Sequence, residues 1–249
     1  MLKQERFRHI LGRLAQQGQV ALAPLSAELQ VSEDTIRRDV DEMGRQGLLT
    51  KVRGGALPAS PIPNAFAARE QHDAGAKQAI AAKARTLVGD GQLIVLDAGT
   101  TVAWLARLLS SARGLTVATN SLPAANVLLE YPGVTVRLAG GQVHAPYRVT
   151  LGQETVDFFR QFRADVCFLG AYGLHPEAGL TVASAEEAAV KRAMLRASTR
   201  VVALVTPEKL GTAAPYVVCS ASDIHTLVTA DGVAPADLDA YRAQGVTVL

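Results

Sequence analysis

The sequence has little cysteine, no long apolar run and almost no excess of either charge, and each shortage excludes something. Only Cys167 and Cys219 occur, 52 positions apart and each inside an apolar run, with no CxxC and no Cys/His spacing suited to a metal. Buried, reduced thiols are expected. No apolar stretch approaches the length of a bilayer span. The opening Met1-Leu2-Lys3-Gln4-Glu5-Arg6 runs into charge without the apolar segment of a secretory signal. A soluble cytoplasmic protein is therefore expected. Walker A, GxGxxG, HExxH and GxSxG patterns are all missing, so the nucleotide, hydride, zinc-protease and hydrolase readings lack their signatures. His9, His72, His144, His175 and His225 are scattered and read as surface or core residues. No metal or cofactor is expected, and there is no internal repeat or low-complexity tract.

What is present suits a substantial core. The 249 residues are 49% apolar and 19% charged, enough for one large domain or two ordinary ones. The net charge of +2 resides in residues 1–57, with nine Lys/Arg against seven Asp/Glu, while residues 58–249 balance at sixteen each. A mildly basic head on a neutral body permits nucleic-acid binding without requiring it.

In the head, Phe7, Ile10, Leu11 and Leu14 follow helical spacing up to Gly18, and a second short helix spans 23–30. A third runs from Ser32 to about 46. Ser32 caps it, Glu33 and Asp34 sit at the positive end of its dipole, and Ile36, Val40 and Met43 form its apolar stripe. Residues 48–52 read as a strand and Arg53-Gly54-Gly55 as a turn or wing tip. This order is that of a winged helix-turn-helix. Arg37 or Arg38 can fork to guanine, each good pair being worth ~1–3 kcal/mol of discrimination. Thr35 can meet a phosphate or a thymine methyl, and Lys51 and Arg53 can meet backbone phosphates. Which arginine reads bases is open. One of them can instead pair with Asp39 or Glu42 as ordinary surface charge.

The stretch Ser32-Glu33-Asp34-Thr35-Ile36-Arg37-Arg38-Asp39, followed by Lys51-Val52-Arg53-Gly54-Gly55-Ala56, resembles the head of the DeoR family of bacterial transcriptional regulators. That family commonly carries V-S-x-x-T-I-R-R-D-L and H-G-G-A; here Val40 replaces Leu and Arg53 replaces His. The resemblance assigns DNA contact to Ser32, Thr35, Arg37, Arg38, Lys51, Arg53, Gly54 and Gly55.

Residues 58–75 read as a semi-rigid linker, because Pro58, Pro61 and Pro63 fall in a stretch with little to bury. An Ala-rich helix follows over 76–88. Arg69 and Lys77 match positions where the DeoR family usually keeps Arg and Lys, although Arg69 reads equally well as an exposed charge.

The body, 76–249, alternates apolar runs with helical patterns. Strands are expected over 93–96, 116–119, 134–138, 166–169, 201–205, 217–219, 226–228 and 246–249. Helices are expected over 102–109, 123–130, 154–162, 185–197 and 235–244. Val/Ile/Leu-rich strands with crossover helices argue for an α/β domain built on a mostly parallel sheet. Three strand ends carry polar loops: Asp97-Ala98-Gly99-Thr100-Thr101, Thr119-Asn120-Ser121 and Ala139-Gly140-Gly141. Ligands in open α/β sheets sit beyond the carboxyl ends of strands, so the three loops can share one crevice suited to a phosphorylated small molecule.

This order also resembles the DeoR-type sensor domain, as do the stretches around Gly170, Lys191 and Lys209. The resemblance implies a fold like ribose-5-phosphate isomerase and a phosphorylated sugar or related effector. It places Asp97, Gly99, Thr100, Thr101, Thr119, Asn120, Ser121, Gly140, Gly141, Gly170, Lys191 and Lys209 at the effector. Lys191 can instead be the exposed side of its helix. Thr206 stands where the family usually has Asp.

The rival reading is a sugar-phosphate isomerase with an added DNA-binding head. Enediol chemistry needs a carboxylate base, and the isomerase's strand-end D-G-A-D-E corresponds here to Leu169-Gly170-Ala171-Tyr172-Gly173, which has no acid. The expectation is thus a regulator with no catalytic residues, acting as a homodimer or higher oligomer on double-stranded operator DNA.

Overall fold

The computed structural model describes residues 1–62 and 65–249. Pro63 and Asn64, part of the expected linker, lie outside the described residues.

Helical periodicity in the head becomes three helices around one apolar centre. Helix α1 (Lys3–Gln17) ends at Gly18 and is followed by strand β1 (Val20–Ala21), α2 (Leu22–Leu29), α3 (Glu33–Arg45), β2 (Leu49–Val52) and β3 (Gly55–Pro58). Ile10, Leu14, Leu25, Ile36, Val40 and Met43 meet in the centre. Ser32 caps α3 by accepting from Thr35 N at 3.2 Å. The three strands form a small sheet in the order β1-β3-β2. The short β1 was not expected, and it changes the reading of Gly55. The turn is Arg53-Gly54 alone. Gly55 is buried in β3 opposite Ala21, where a Cβ would run into the Val20 carbonyl oxygen. Close approach of two strands explains Gly55, which offers no surface to DNA.

The segment expected as a bare linker is packed. It contains α4 (Phe66–Gln71) and leads into α5 (Ala74–Arg85). Ile62 and Phe66 are buried. Phe66 N donates to the Pro146 carbonyl at 2.8 Å, and Tyr172 Oη donates to the Ile62 carbonyl at 2.7 Å. These two apolar anchors were missed because each is the only large apolar side chain in its stretch, Ile62 between prolines and Phe66 among alanines.

The body contains β4 (Leu93–Leu96), α6 (Thr100–Arg107), β5 (Leu115–Thr119), α7 (Leu122–Leu128), β6 (Val134–Leu138), β7 (Gln142–His144), β8 (Val149–Leu151), α8 (Gln153–Arg160) and β9 (Ala164–Gly170). It continues through β10 (Gly173–His175), β11 (Gly179–Val182), α9 (Ala185–Arg196), β12 (Ser198–Leu204), β13 (Tyr216–Cys219), β14 (Thr226–Val228), α10 (Pro235–Arg242) and β15 (Thr247–Val248). Seven strands form one sheet in the order β15-β14-β12-β9-β4-β5-β6, and every pairing in it is parallel. Because side chains alternate across a strand, Val95, Cys167 and Ala203 pack on one face with Phe159, Met194 and Tyr241. Ile94, Val166 and Val202 pack on the other with Ile80 and Leu105. Residues 217–219 do not join this sheet. They belong to β13, which pairs with β11 in a separate sheet of order β10-β11-β13.

Head and body meet at a buried point around Ala213. Thr50 Oγ1 on β2 donates to the Ala213 carbonyl at 2.7 Å, and Ala213 N donates to the Pro58 carbonyl at 3.2 Å.

Candidate functional site

After β4 the chain builds outward to β5 and β6, then returns to lay β9 on β4's other side. The order of the sheet reverses between β4 and β9, and a crevice opens at that point beyond the strand ends. Asp97 ends β4 and Gly170 ends β9. Asp97 Oδ2 accepts from Gly170 N at 2.8 Å and forms a buried ion pair with Lys191, whose Nζ also donates to the Gly170 carbonyl at 3.0 Å. Glu187 Oε1 stands 3.6 Å from the same ammonium. Burial opposes the charge on Lys191, but Asp97 and Glu187 outweigh it and the pKa rises above its ordinary value. Lys191 is therefore not the exposed side of α9, and its charge is already matched.

Lys209 is different. It ends a single 3-10 turn, Pro207–Lys209, and is buried. Among the described residues its ammonium has no hydrogen-bond or ion-pair partner. Burial, reinforced by the nearby Arg69, pushes its pKa down to about 8 against a weaker pull from Glu208. Arg69, from α4, has its Nε buried without a partner and its guanidinium 5.5 Å from the Tyr147 ring centre. Lys77 holds this stretch in place by donating to the carbonyls of Arg69 and His72.

Two small adjoining hollows, of about 20 Å³ each, share Arg69, Ala98, Glu187 and Lys191 in their walls. One is completed by Gly99, Thr100, Thr101, Tyr172 and Lys209. Here α6 begins without a side-chain cap, so its first N–H groups are available to an anion. The other adds Asn120, Tyr147, Val149 and Leu151. Asn120 Nδ2 donates to the Thr150 carbonyl at 2.9 Å, which leaves its buried Oδ1 unpaired.

The first two strand-end loops meet at these hollows, through Asp97–Thr101 and Asn120, but the third lines neither. Thr119, Ser121, Gly140 and Gly141 stand outside both walls. Thr119 Oγ1 accepts from Ser121 N at 3.0 Å, and Ser121 Oγ caps α7 by accepting from Ala124 N at 3.3 Å. Thr155 Oγ1 donates to the Gly140 carbonyl at 2.7 Å. At Gly141 a Cβ would strike Thr155 Oγ1 and the Leu151 carbonyl, so this glycine serves the packing of β8 and α8. The hydroxyl of Thr206 donates to Glu208 Oε1 at 2.7 Å, and Thr206 lines neither hollow. Missed from the candidates were Arg69, Tyr147, Tyr172 and Glu187. Arg69 carried a signal in its match to a position where the DeoR family keeps arginine, and Glu187 carried one as the start of a stretch that resembles the sensor domain.

On the head, Arg37 and Arg38 project from α3 with side chains 50% and 83% exposed. Arg37 meets Glu33 at 3.1 Å and Asp34 at 3.5 Å, and Arg38 reaches Asp34 only at 3.8 Å. Exposed pairs of this kind contribute ~0–1 kcal/mol, little resistance to exchange for a base edge or phosphate. Asp39 and Glu42 are already taken. Arg6 grips Asp39 at 2.5 and 3.0 Å, a half-hidden fork that ties α1 to α3, and the Asp39 hydrogen bond raises the Arg6 pKa. Lys3 holds Glu42 at 2.5 Å. Thr35 Oγ1 lies 2.8 Å from Ser32 Oγ. Lys51 pairs with Asp41, and Arg53 and Gly54 are exposed at the hairpin tip.

Among the described residues no helix is long and apolar enough to cross a membrane, and no three metal-binding side chains cluster.

Residues 6–61 match the model of the DeoR-like helix-turn-helix domain, and residues 72–231 match that of the DeoR C-terminal sensor domain. The chain is 31% identical over 231 residues to the HTH-type transcriptional repressor GlcR of Bacillus subtilis, covering 92% of this chain and 89% of that one. It is 32% identical over 212 residues to the glycerol-3-phosphate regulon repressor of Escherichia coli, covering 85% and 84%. Among solved structures, ribose 5-phosphate isomerase A of Methanocaldococcus jannaschii aligns at a TM-score of 0.39 and 19% identity, over 55% of this chain and 54% of that one. eIF2B beta of Chaetomium thermophilum aligns at 0.47 and 16%, over 69% and 54%.

Proposed function

The chain belongs to the DeoR family of transcriptional regulators, and from that premise we propose that it represses carbohydrate-metabolism genes under the control of a phosphorylated sugar or related metabolite. Helix α3 enters the major groove of an operator, with Arg37 and Arg38 at base edges or phosphates and the Arg53-Gly54 tip against the backbone. The effector binds in the crevice between β4 and β9. Two-fold symmetric operators call for a homodimer or a higher homo-oligomer in the cytoplasm, where the operator lies.

One observation carries the effector reading: the buried, unmatched ammonium of Lys209 beside the uncapped start of α6 and the unpaired Nε of Arg69. Buried positive charge of this kind is stabilised by a phosphoryl group and costs free energy without one. Asn120 Oδ1 and Glu187 in the neighbouring hollow supply acceptors for sugar hydroxyls. The strand-end acids of the isomerase pattern have no counterpart here, because Asp97 is bound to Lys191 and no acid stands in Leu169–Gly173. The protein regulates rather than catalyses.

Melting the purified protein with a panel of sugar phosphates tests this. A phosphorylated member raises Tm and its unphosphorylated parent does not; no shift across a broad panel overturns the effector reading. Pentose and hexose phosphates remain unconverted in an isomerase assay, and turnover would overturn the assignment.

A further inference from the structure

A groove of about 300 Å³ lies between α8 and α9 on the outside of the body, and the effector reading makes no use of it. Arg160 and Arg163 line it from one side and Arg192 and Arg196 from the other. Among the described residues one carboxylate engages them, Asp157, which accepts from Arg160 at 2.8 Å. Arg163 donates to the Phe162 carbonyl at 3.3 Å and Arg192 to the Val217 carbonyl at 2.5 Å. Those neutral oxygens orient a guanidinium without cancelling its charge. Arg196 has no ion-pair partner among the described residues. Three positive charges are thus unmatched in a region where residues 58–249 balance overall. A helix C-terminus favours a cation, which accounts for Arg160 and Arg196 singly but not for all four lining one groove.

The floor is made for occupancy. Ala189, Ala193 and Ala197 recur at i, i+4 and i+8, and with Val156 they leave open the space that larger side chains would fill. The groove is also separate from the effector crevice. Crossover helices run opposite to the strands they precede, and Ala164 N bonds to the Ala197 carbonyl at 2.7 Å, so its far end lies at the amino ends of β9 and β12. The crevice lies at their carboxyl ends.

We propose that this groove is a second anion site, for a small molecule carrying two or more linked phosphates, of the pyrophosphate or nucleoside triphosphate class. Guanidinium forks match phosphate oxygens two at a time. Three unmatched charges suit a phosphate chain better than one phosphate, which leaves an excess of positive charge. A concave groove of this volume, at the lower end of the roughly 300–1,000 Å³ usual for small-molecule sites, favours such a ligand over a duplex.

Calorimetric titration of the full chain with pyrophosphate and with ATP tests the assignment. Both bind, more weakly as salt rises, and the Kd weakens at least tenfold in Arg192→Ala/Arg196→Ala while staying unchanged in Lys209→Gln. Arg163→Ala/Arg196→Ala, which leaves the Val217 contact alone, gives the same loss. The proposal is overturned by absence of binding, by a Kd that both double variants leave unchanged, or by loss in Lys209→Gln, which would place the anions in the effector crevice. Inorganic phosphate binding as tightly as pyrophosphate also overturns it. So does a change of oligomeric mass in the double variants, which would make the groove a subunit contact.

Discussion

At the scale of single residues, Lys209 and the Asp97–Lys191 pair make opposite uses of buried charge. Unfolded, Lys209 has the ordinary lysine pKa of 10.5, and folded it has about 8. Between these values the folded state holds fewer protons, so stability rises with pH across the window and the cost of the buried charge is felt below it. A bound phosphate reverses the preference. Effector affinity is expected to be highest below pH 8 and to fall above it, approaching about tenfold per unit, with Lys209→Arg flattening the profile. A calorimetric pH series that stays level for the wild type would remove Lys209 from the site. Asp97→Asn strands an ammonium that is almost fully buried. Removing one member of such a pair costs about 3–5 kcal/mol, so the urea midpoint should drop, and Asp97→Asn/Lys191→Met should recover part of it. An unshifted midpoint in the single variant would mean the pair contributes nothing to folding. The sequence pointed to both residues as ligand contacts but not to each other, since 94 positions separate them. Arg69 was hidden for a related reason: its value lies in a placement that only the packing of Ile62 and Phe66 creates.

At the scale of elements, what could be read beforehand depended on length. Helices of two or more turns and the long apolar strands declare themselves by period, and α3 carries its cap, dipole charges and core stripe in plain order. Strands of three residues such as β7 and β10 offer too little alternation to register. Residues 217–219 looked like another sheet strand, yet they belong to β13, where Tyr216 and Val217 are exposed and the segment pairs antiparallel with β11. The loops misled because Gly, Thr and Ser at strand ends serve packing and caps as readily as ligands. Helix α3 and the wing should separate experimentally. Arg37→Ala/Arg38→Ala is expected to abolish sequence-selective gel shifts. Lys51→Ala/Arg53→Ala should weaken all sequences alike and reduce the slope of log K against log salt by roughly 0.9 per lost phosphate contact. Selectivity retained without both α3 arginines would take base reading away from that helix.

At the scale of the whole molecule, the question is how a filled crevice is felt by the head. The buried contact between Thr50 and Ala213 lies four residues beyond Lys209, and Thr212 ties the two together by donating to the Lys209 carbonyl at 2.9 Å. Under the proposed effector reading, a ligand that holds Lys209 is expected to bias the strand on which the wing rests. Thr50→Val keeps the shape and deletes the bond. Operator and effector should each still bind within a few-fold, while the coupling between them, typically ~1–3 kcal/mol, falls toward zero when operator Kd is measured with and without effector. Undiminished coupling would exclude this contact as the route. The two partners of that bond are 163 positions apart, and a ribosome releases the amino end first. The head, with an apolar centre of its own, is finished long before the carbonyl that restrains it has been made. Any chain cut short of Ala213, by a stop codon or a protease, carries a DNA reader that its metabolite can no longer address.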